Sequence, residues 1–518
     1  MSEPAKPASG PDENSDDMNA LVKGGRTNTL GFVLRLIGGI PFLFIGYRLY
    51  GVEEMGRFAS AVVVIELFAL ICALGEKRGL AQRLTQGAQD HASKRVNLVF
   101  DAMLASLIVS AVVVTLLVIF PYPIFPNGTS GRWDMLIIGA IPAFALTEIL
   151  LAAQAYRFDI ATTVRARAIV EPWTRSLAVV AFFFIPGLRD GGVALAYLAA
   201  IYAALLTAIW PFVRTYGLPM GWRPSPHYLV RLVSQAFPLA GADVIERGTR
   251  LIDVFLLGLF TSPTAVGIYY FAKEVASLPQ KLKTSFEPVL SPVITKNLKT
   301  GNYAAIAAQV QQVGFWIIAL QLGIALALAI PGEAVMGLGG PAIVGGTAAL
   351  GLLLVAEAVA SMAVVSEGVL VYIAKKRNLA ISIAVIVLQA VLTVGFILFA
   401  RSRGLEEGYF AGAAAMALLL ALGFSSLVKA LLLKSLLKAP VGNLRWALVW
   451  ATGAAVLVGQ AAILLPEWAE LVFGIPAIIG VYGWVIWTRG FGPEDRVLFK
   501  KADPTAEDDK SAPSITPS

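Results

Sequence analysis

The sequence predicts an all-α protein that crosses a membrane many times. Of its 518 residues, 57% are hydrophobic and 14% are charged, whereas soluble domains have about 25% charged residues. The mean hydropathy is +0.73, and apolar stretches of about 20 residues, the length that a helix needs to cross a bilayer, recur along the chain. An internal repeat further predicts two sets of six spans, followed by two more.

Fourteen apolar segments are predicted as membrane spans with a window of about 19 residues. They cover residues 28–50, 58–75, 96–120, 133–156, 168–186, 191–217, 235–260, 264–286, 312–332, 345–373, 380–400, 408–433, 446–465 and 470–488. We number them as the first to the fourteenth span, and a count of twelve is the alternative. The connecting segments are short, which leaves no room for a catalytic domain outside the membrane.

Lysine and arginine are concentrated on one set of alternate connections and on both ends of the chain. Examples from this set are Lys77, Arg78, Arg83, Lys94, Arg95, Arg157, Arg165, Arg167, Arg214, Arg223, Arg231, Lys375, Lys376, Arg377, Lys429, Lys434 and Lys438. By the positive-inside rule these connections and both termini are cytoplasmic, which requires an even number of spans. We therefore attribute the net charge of +7 to membrane topology and expect no nucleic-acid partner.

Two pairs of glycines indicate an internal repeat. Gly56 follows the first span and Gly267 follows the seventh, 211 residues later (267 minus 56). Gly191 and Gly408 lie at the start of the sixth and twelfth spans, 217 residues apart (408 minus 191). Because six is an even number, the two lobes would be related by an axis along the membrane normal, with a substrate site between them. The predicted organisation is a disordered cytoplasmic tail (1–27), a first lobe (28–217), a cytoplasmic linker (218–234), a second lobe (235–433), two additional spans (446–488) and a cytoplasmic tail (489–518).

The seventh span is apolar enough to cross a membrane and yet carries five charges, at spacings of three and four residues for the most part. They are Asp243, Glu246, Arg247, Arg250 and Asp253. On one continuous helix these residues form a single stripe. Each would cost about 2.5–3.5 kcal/mol at the centre of a bilayer. The stripe therefore predicts a helix that faces a water-filled cavity or the interior of the bundle.

The neighbouring spans add further charges. Arg35 lies in the first span, Glu66 in the second, and the eighth span has a polar stripe that includes Lys273, Glu274 and Lys281. By the repeat, the first and second spans correspond to the seventh and eighth, so the charged helices would meet at one central cavity. Arginine suits such a site because its planar fork donates paired hydrogen bonds to phosphate.

These charges have a functional and a structural interpretation. The predicted ligands of an anionic headgroup are Arg35, Arg247, Arg250, Lys273 and Lys281, and the predicted coupling or charge-pairing residues are Glu66, Asp243, Glu246, Asp253 and Glu274. In the structural interpretation they pair along the helix, at the neighbour spacings Asp243–Arg247, Glu246–Arg250 and Arg250–Asp253. For Glu171 and Arg175 in the fifth span, the structural pair is favoured.

The remaining composition argues against an enzyme. Cys72 is the single cysteine, and His91 and His227, the only histidines, both fall in polar loops. A zinc site or a histidine-based catalytic centre is therefore not expected. The sequence has no nucleotide-binding loop and no constellation of nucleophile and base. We expect no cofactor other than a coupling H⁺ or Na⁺.

Several segments resemble the polysaccharide-biosynthesis flippases, the Wzx-type members of the multidrug/oligosaccharidyl-lipid/polysaccharide (MOP) exporter superfamily, over about residues 25–435. They are Tyr50-Gly51 and Gly56-Arg57-Phe58 after the first span, Val266-Gly267-Ile268-Tyr269 after the seventh, and the helix running to Pro288. The resemblance implies two six-helix lobes around a V-shaped cavity, as in MATE drug exporters. It also implies a multi-pass protein of the bacterial inner membrane that moves polyprenyl-pyrophosphate-linked oligosaccharides to the periplasmic leaflet. On this resemblance, Arg35, Arg247, Arg250 and Lys273 are the candidates for contacting the pyrophosphate.

The expected partners are the lipid-linked oligosaccharide, membrane lipids, and a polysaccharide polymerase with other assembly proteins. Two alternatives share the fold: a flippase for a lipid-linked peptidoglycan precursor, and a MATE-like, cation-coupled exporter of small molecules. A sugar porter of the major facilitator type would carry a Gly-x-x-x-Asp-Arg loop after the second span, which residues 77–95 do not match. A membrane polymerase, ligase or glycosyltransferase would carry a large periplasmic loop.

Overall fold

The computed structural model describes residues 11–86, 92–129, 131–219, 221–283, 298 and 302–492. Within these residues the protein is built of helices and has no β-strand. Each of the fourteen predicted spans coincides with helix in its described part, and nine helical stretches there are long and apolar enough to cross a membrane on length and composition. The predicted all-α polytopic fold is therefore confirmed.

The helices of the first six spans follow the predicted order. The first and second spans are Pro11–Cys72, the third is Ala92–Ile119, the fourth is Asp134–Gly139 (3₁₀) with Ala140–Tyr156, the fifth is Ile160–Val164, Arg165–Val170 (π) and Glu171–Phe184, and the sixth is Gly192–Tyr216. A short helix, Glu76–Gln86, connects the second span to the third.

The second half repeats this order and adds two spans. The seventh span is Pro226–Gly248 with Ile252–Phe260, the eighth is Pro263–Lys283, the ninth is Tyr303–Ala329, the tenth is Pro341–Gly346 (3₁₀), Thr347–Ser361 and Val364–Ile373, the eleventh is Lys375–Ser402, and the twelfth is Glu407–Leu437. The thirteenth is Trp446–Ala462, and the fourteenth runs through Glu467–Ala469, Glu470–Gly474, Ile475–Val485 and Ile486–Gly490. Gly332–Gly337 is a short helix after the ninth span.

The first and second spans form a tight helical hairpin. Gly51 has φ 85° and ψ 170°, a conformation that glycine adopts at little cost because it has no Cβ. The rings of Phe42 and Phe58 lie 5.6 Å apart between centroids, although their sixteen-residue separation would span about 24 Å in a continuous helix. The chain therefore reverses direction at Gly51, as the predicted break between these spans requires.

The glycines that indicated the repeat form the contact between the two lobes. A Cβ atom at Gly56 would lie 1.8 Å from the carbonyl oxygen of Pro263, and one at Gly267 would lie 2.2 Å from that of Val52. Val52 and Pro263 are themselves 211 residues apart (263 minus 52), so the two contacts are equivalent under the repeat. The pseudo-twofold axis therefore passes between Gly56 and Gly267, and the predicted parallel repeat is confirmed.

The two ends of the bundle are closed by different contacts. We call the end with the Gly51 turn the turn face, and the end with the linker between the sixth and seventh spans the linker face. At the linker face, Leu232 and Ala236 of the seventh span pack in an apolar cluster with Leu74 and Ala105 of the first lobe. The turn face is held by hydrogen bonds and by the glycine contact.

Two predicted boundaries are wrong. The first helix begins at Pro11, so residues 11–27, which were predicted to be disordered, are helical. The seventh span begins at Pro226, inside the predicted linker 218–234. In both cases proline occupies the first helical position, which its fixed φ favours, and hydropathy does not register such polar first turns. The tail beyond residue 492 lies outside the described residues.

Candidate functional site

The seventh span is broken in the middle of its charged stretch. Pro226–Gly248 ends, Thr249–Leu251 form a turn, and Ile252–Phe260 begins. The turn leaves the carbonyl oxygen of Arg250 outside regular helix, and this oxygen accepts a hydrogen bond from Lys273 Nζ. The predicted single stripe of five charges on one continuous helix is therefore wrong. The break directs these side chains to two different places.

Asp253 is the centre of one group of charges. It is completely buried, at 0% exposure. Its Oδ1 accepts from Lys273 Nζ at 2.5 Å and from the Val254 amide at 2.8 Å, and its Oδ2 accepts from the Tyr269 hydroxyl at 2.5 Å. Three donors thus contact one carboxylate, and the amino group of Lys273 is used in this ion pair.

Arg250 completes this group from the other side. Its Nη1 forms an ion pair with Glu357 of the tenth span, whose side chain is 9% exposed. With the amide of Gln280 oriented to present its oxygen, that oxygen accepts from Arg250 Nη2 at 3.0 Å and from Nε at 3.2 Å. We call Arg250, Asp253, Tyr269, Lys273 and Glu357 the second-lobe cluster. Its two cations are both bound by carboxylates.

A second group of charges lies where the lobes meet. Glu66 of the second span interacts electrostatically with Arg247 of the seventh, and also with Glu171, Glu274 and Arg175. Arg35 of the first span acts in turn on Glu171. We call this set the interlobe cluster, and its members are Arg35, Glu66, Glu171, Arg175, Arg247 and Glu274. Five spans from both lobes contribute to it.

The carboxylates of the interlobe cluster are not all available to its arginines. Glu171 Oε2 accepts from Arg167 Nη1 at 2.7 Å, and Arg167 Nη2 also donates to Glu148 at 2.5 Å. Arg167 lies in the π-helical turn of the fifth span and packs on the ring of Phe144. The expected pairing of Glu171 with Arg175 is therefore wrong, since Arg167 takes the carboxylate.

Three arginines of this cluster have no hydrogen bond or ion pair to a described side chain. Arg35 and Arg247 are exposed. The guanidinium of Arg175 lies 4.5 Å above the ring of Phe42, and its Nε is buried without a hydrogen-bond partner among the described residues. Guanidinium groups in this state are suited to binding an anion, because their donors are not already used.

The structure thus sorts the predicted residues. Arg35, Glu66, Arg247 and Glu274 come together in the interlobe cluster, and Arg250, Asp253 and Lys273 in the second-lobe cluster. Asp243 is half-buried on the first helix of the seventh span and makes a polar interaction. The side chains of Glu246 and Lys281 lie outside the described residues. The expected Arg250–Asp253 pair is wrong, because each residue has a partner on another helix.

Sequence reasoning missed the roles of Glu357, Tyr269 and Arg175. Glu357 was visible only as a charge in an apolar span, and Arg175 only as a helix neighbour of Glu171. Such positions mark residues that do not face lipid but do not identify their partners. Tyr269 gave no signal. Among the described residues, no group of three or more His, Cys, Asp or Glu is placed to hold a metal ion.

Comparison with known proteins agrees with this architecture. A family model for polysaccharide biosynthesis proteins matches residues 22–298, which is more than half of the chain. No curated protein matches the sequence. Among solved structures, the lipid II flippase MurJ in an inward closed conformation aligns with a TM-score of 0.65 at 12% identity, over 92% of this chain and 100% of that one.

Drug exporters share the fold as well. An inward-facing multidrug resistance MATE family transporter of the MOP superfamily aligns with a TM-score of 0.63 at 16% identity, over 79% of this chain and 95% of that chain. A MATE structure in the straight conformation aligns with a TM-score of 0.52 at 15% identity, over 81% of this chain and 97% of that chain. At such identities these likenesses establish the fold alone. The chain has the helices and the fold of a multi-pass membrane protein, and the family match shows that it belongs to the polysaccharide biosynthesis protein family.

Proposed function

We propose that the protein translocates a polyprenyl-pyrophosphate-linked oligosaccharide, the repeat unit of an O-antigen, exopolysaccharide or similar polymer, across the bacterial inner membrane by alternating access. The linker face, with its lysines and arginines, would be cytoplasmic, and the turn face periplasmic. The translocated unit would pass to a polysaccharide polymerase. The family match and the flippase fold support the transport class.

The observation that carries the substrate class is the group of three arginines, Arg35, Arg175 and Arg247, in the interlobe cluster. Each belongs to a different span, and none donates to a described side chain. A pyrophosphate offers several negatively charged oxygens to such planar donors. An anionic headgroup would therefore be bound between the lobes by residues of both, while its lipid tail stays in the bilayer.

The second-lobe cluster has a different role in this proposal. Its cations, Arg250 and Lys273, are held by Glu357 and Asp253. We propose that they do not bind the headgroup directly, and that protonation of Asp253, or a Na⁺ bound beside it, weakens its ion pair with Lys273. That change would couple the position of the eighth span to an ion gradient. Glu66 and Glu274 are the further candidates for coupling.

A lipid-linked peptidoglycan precursor is the second candidate substrate. The observation that favours it is the likeness to MurJ, which extends over the whole of that chain. Both substrates present a pyrophosphate to the same arginines, so the headgroup site does not distinguish them. A MATE-like exporter of cationic drugs fits less well, because free arginines between the lobes would repel such a substrate.

The test begins with deletion of the gene and analysis of lipid-linked oligosaccharides. We expect them to accumulate on the cytoplasmic leaflet while surface polysaccharide is lost. An intact surface polymer, with arrested peptidoglycan synthesis, would favour the precursor flippase instead. Intact polymer with normal growth and no accumulation would overturn both assignments.

The headgroup site is tested by transport in proteoliposomes. We expect Arg247→Gln and Arg175→Gln to slow translocation by about 10- to 100-fold, since a charge-assisted hydrogen bond contributes about 1.5–3 kcal/mol. The matched control is Arg377→Gln, an exposed arginine at the linker face, which should leave the rate within about twofold. Equal rates for all three folded variants would remove the arginines from the site.

A further inference from the structure

The contacts that close the turn face share one chemical form. In each, a side chain of the first lobe donates a hydrogen bond to a backbone carbonyl of the second. The hydroxyl of Tyr47 donates to the Gly267 oxygen at 2.5 Å, and Arg48 donates through Nε to Leu338 at 3.0 Å and through Nη2 to Gly337 at 2.9 Å. No carboxylate takes part in these contacts.

Asn127 makes the third contact of this kind. Its Nδ2 donates to the carbonyl oxygens of Thr261 at 3.1 Å and of Gly258 at 3.4 Å, in the turn between the seventh and eighth spans. The loop that carries Asn127 is fixed within the first lobe by Arg57, whose Nη1 donates to the carbonyls of Asn127 at 3.1 Å and Gly128 at 3.0 Å. Contacts within the first lobe therefore hold the Asn127 loop in the position from which its Nδ2 donates to the second lobe.

An aromatic layer and the glycine contact lie directly below these hydrogen bonds. Phe271 of the second lobe packs edge-on against Tyr47 at 5.0 Å and against Phe44 at 5.6 Å. Beside them, Gly56 and Gly267 allow the second and eighth spans to touch through their backbones. The lobes can approach this closely only because both crossing positions lack a side chain.

We propose that this assembly is the gate of the turn face. The crossing of Gly56 and Gly267 on the pseudo-twofold axis sets how closely the lobes approach, and Tyr47, Arg48 and Asn127 act as its latch. The proposal rests on the proposed function for the motion that it controls. The first lobe supplies the latch side chains, and the second lobe supplies the backbone oxygens that accept their hydrogen bonds.

This chemistry suits a gate that must open repeatedly. When the lobes separate, water can replace each hydrogen bond on both sides, and none of the latch contacts between described residues is an ion pair. The second-lobe cluster, by contrast, contains ion pairs whose separation would leave a buried charge without a partner. The ion pairs of the second-lobe cluster thus lie within one lobe, whereas the contacts between the lobes at the turn face use neutral acceptors.

Substitution of Gly56 by alanine should prevent closure. The added Cβ would meet a backbone oxygen at 1.8 Å, which no rotation of a side chain can relieve. The matched control is Gly412→Ala, five residues into the twelfth span, as Gly56 is five residues past the Gly51 turn. A Cβ at Gly412 would meet nothing within 4 Å.

Gate opening is measured as the reactivity of a thiol introduced by Ser60→Cys, in a protein that also carries Cys72→Ala. Ser60 is 6% exposed and lies against Gly258, one turn beyond Gly56. In detergent micelles, we expect a maleimide to react with Cys at this position at least about tenfold faster in Gly56→Ala, and at the parent rate in Gly412→Ala. Ala236→Cys, in the linker-face contact, is the reference. Its thiol should react no faster in Gly56→Ala than in the parent protein.

A second variant keeps the test decisive if Gly56→Ala does not fold. Tyr47→Phe combined with Arg48→Gln removes latch hydrogen bonds without adding an atom at the crossing, and it should also raise the reaction rate at position 60. If both folded gate variants react at the parent rate, the gate assignment is wrong. Because labelling needs no substrate, the two proposals fail separately: a faster reaction in the gate variants, together with no translocation of the proposed substrate by the parent protein, would overturn the proposed function and leave the gate intact.

Discussion

Removing the amino group of Lys273 should destabilise the protein far more than removing an exposed lysine. Asp253 is fully buried, and Lys273 is its only cationic partner among the described residues. Lys273→Met therefore leaves a buried carboxylate with two neutral donors, Tyr269 and the Val254 amide. Breaking one side of a buried ion pair costs about 3–5 kcal/mol, and we expect a loss of this size in the free energy of unfolding.

A double-mutant cycle separates the ion pair from the packing around it. In Lys273→Met with Asp253→Asn, no charge remains without a partner, so we expect the double variant to recover at least about 2 kcal/mol relative to Lys273→Met alone. The measurement is denaturant unfolding of the purified protein in micelles, followed by tryptophan fluorescence. Lys375→Met, at an exposed position, should change stability by less than about 0.5 kcal/mol.

Two results would contradict the reasoning. If Lys273→Met behaves like Lys375→Met, the pair with Asp253 contributes nothing measurable, and Lys273 is available to bind a headgroup. If the double variant is less stable than the parent protein by the sum of the two single losses, the two side chains act independently. The cycle thus decides whether this cation belongs to the substrate site or to the second-lobe cluster.

Two further predictions concern the linker face. Burial raises the pKa of Glu76, and Arg83 opposes that rise. The folded-state pKa lies above the unfolded one, so protonation of Glu76 favours the folded state. Arg83→Met should lower the free energy of unfolding by about 3 kcal/mol near pH 8 and by progressively less as the pH falls toward 5, measured by unfolding across this range. A pH-independent loss would refute this. Trp222 donates to Asp101 Oδ1 at 2.8 Å, and its ring packs in a tilted arrangement against Phe100. Trp222→Ala should therefore accelerate proteolysis of the linker at least about tenfold, and Trp222→Phe, which keeps the ring contact, should give a rate between those of the parent and Trp222→Ala. Equal rates in the parent and both variants would show that Trp222 does not anchor the linker.

Hydropathy predicted the spans because the cost of exposing polar backbone and charge in a bilayer is a local property of each segment. The repeat was also accessible, because Gly56 and Gly267 are needed at the same position of both lobes. Each glycine lies at the crossing, where any side chain would strike the opposite backbone. Sequence spacing therefore reported a tertiary contact, although it could not show that the two glycines touch each other.

The partners of the charges could not be predicted in the same way. Arg250 pairs with Glu357, which is 107 residues distant in the chain, and this depends on how two helices are rotated against each other. The break in the seventh span has no proline at its turn, and Pro238 lies inside the preceding helix without ending it. Helical periodicity consequently assigned Arg247 and Arg250 to one stripe. In the structure Arg247 lies on the first helix and Arg250 in the turn that follows it, and the two belong to different clusters.

The repeat itself shows how the two lobes differ. Phe42 and Phe58 are separated from Asp253 and Tyr269 by the same 211 residues (253 minus 42 and 269 minus 58). In the first lobe Phe42 and Phe58 form an aromatic contact across the hairpin. At the equivalent positions of the second lobe, the Tyr269 hydroxyl donates a hydrogen bond to the buried carboxylate of Asp253. An apolar pair needs no cation, and the guanidinium of Arg175 lies over Phe42 without a carboxylate partner there. The buried carboxylate of Asp253 requires a cationic partner, and Lys273 provides it. In the proposed function, this difference between the lobes leaves Arg175 of the first lobe available to the headgroup and holds Lys273 of the second lobe in an ion pair that a coupling ion could release.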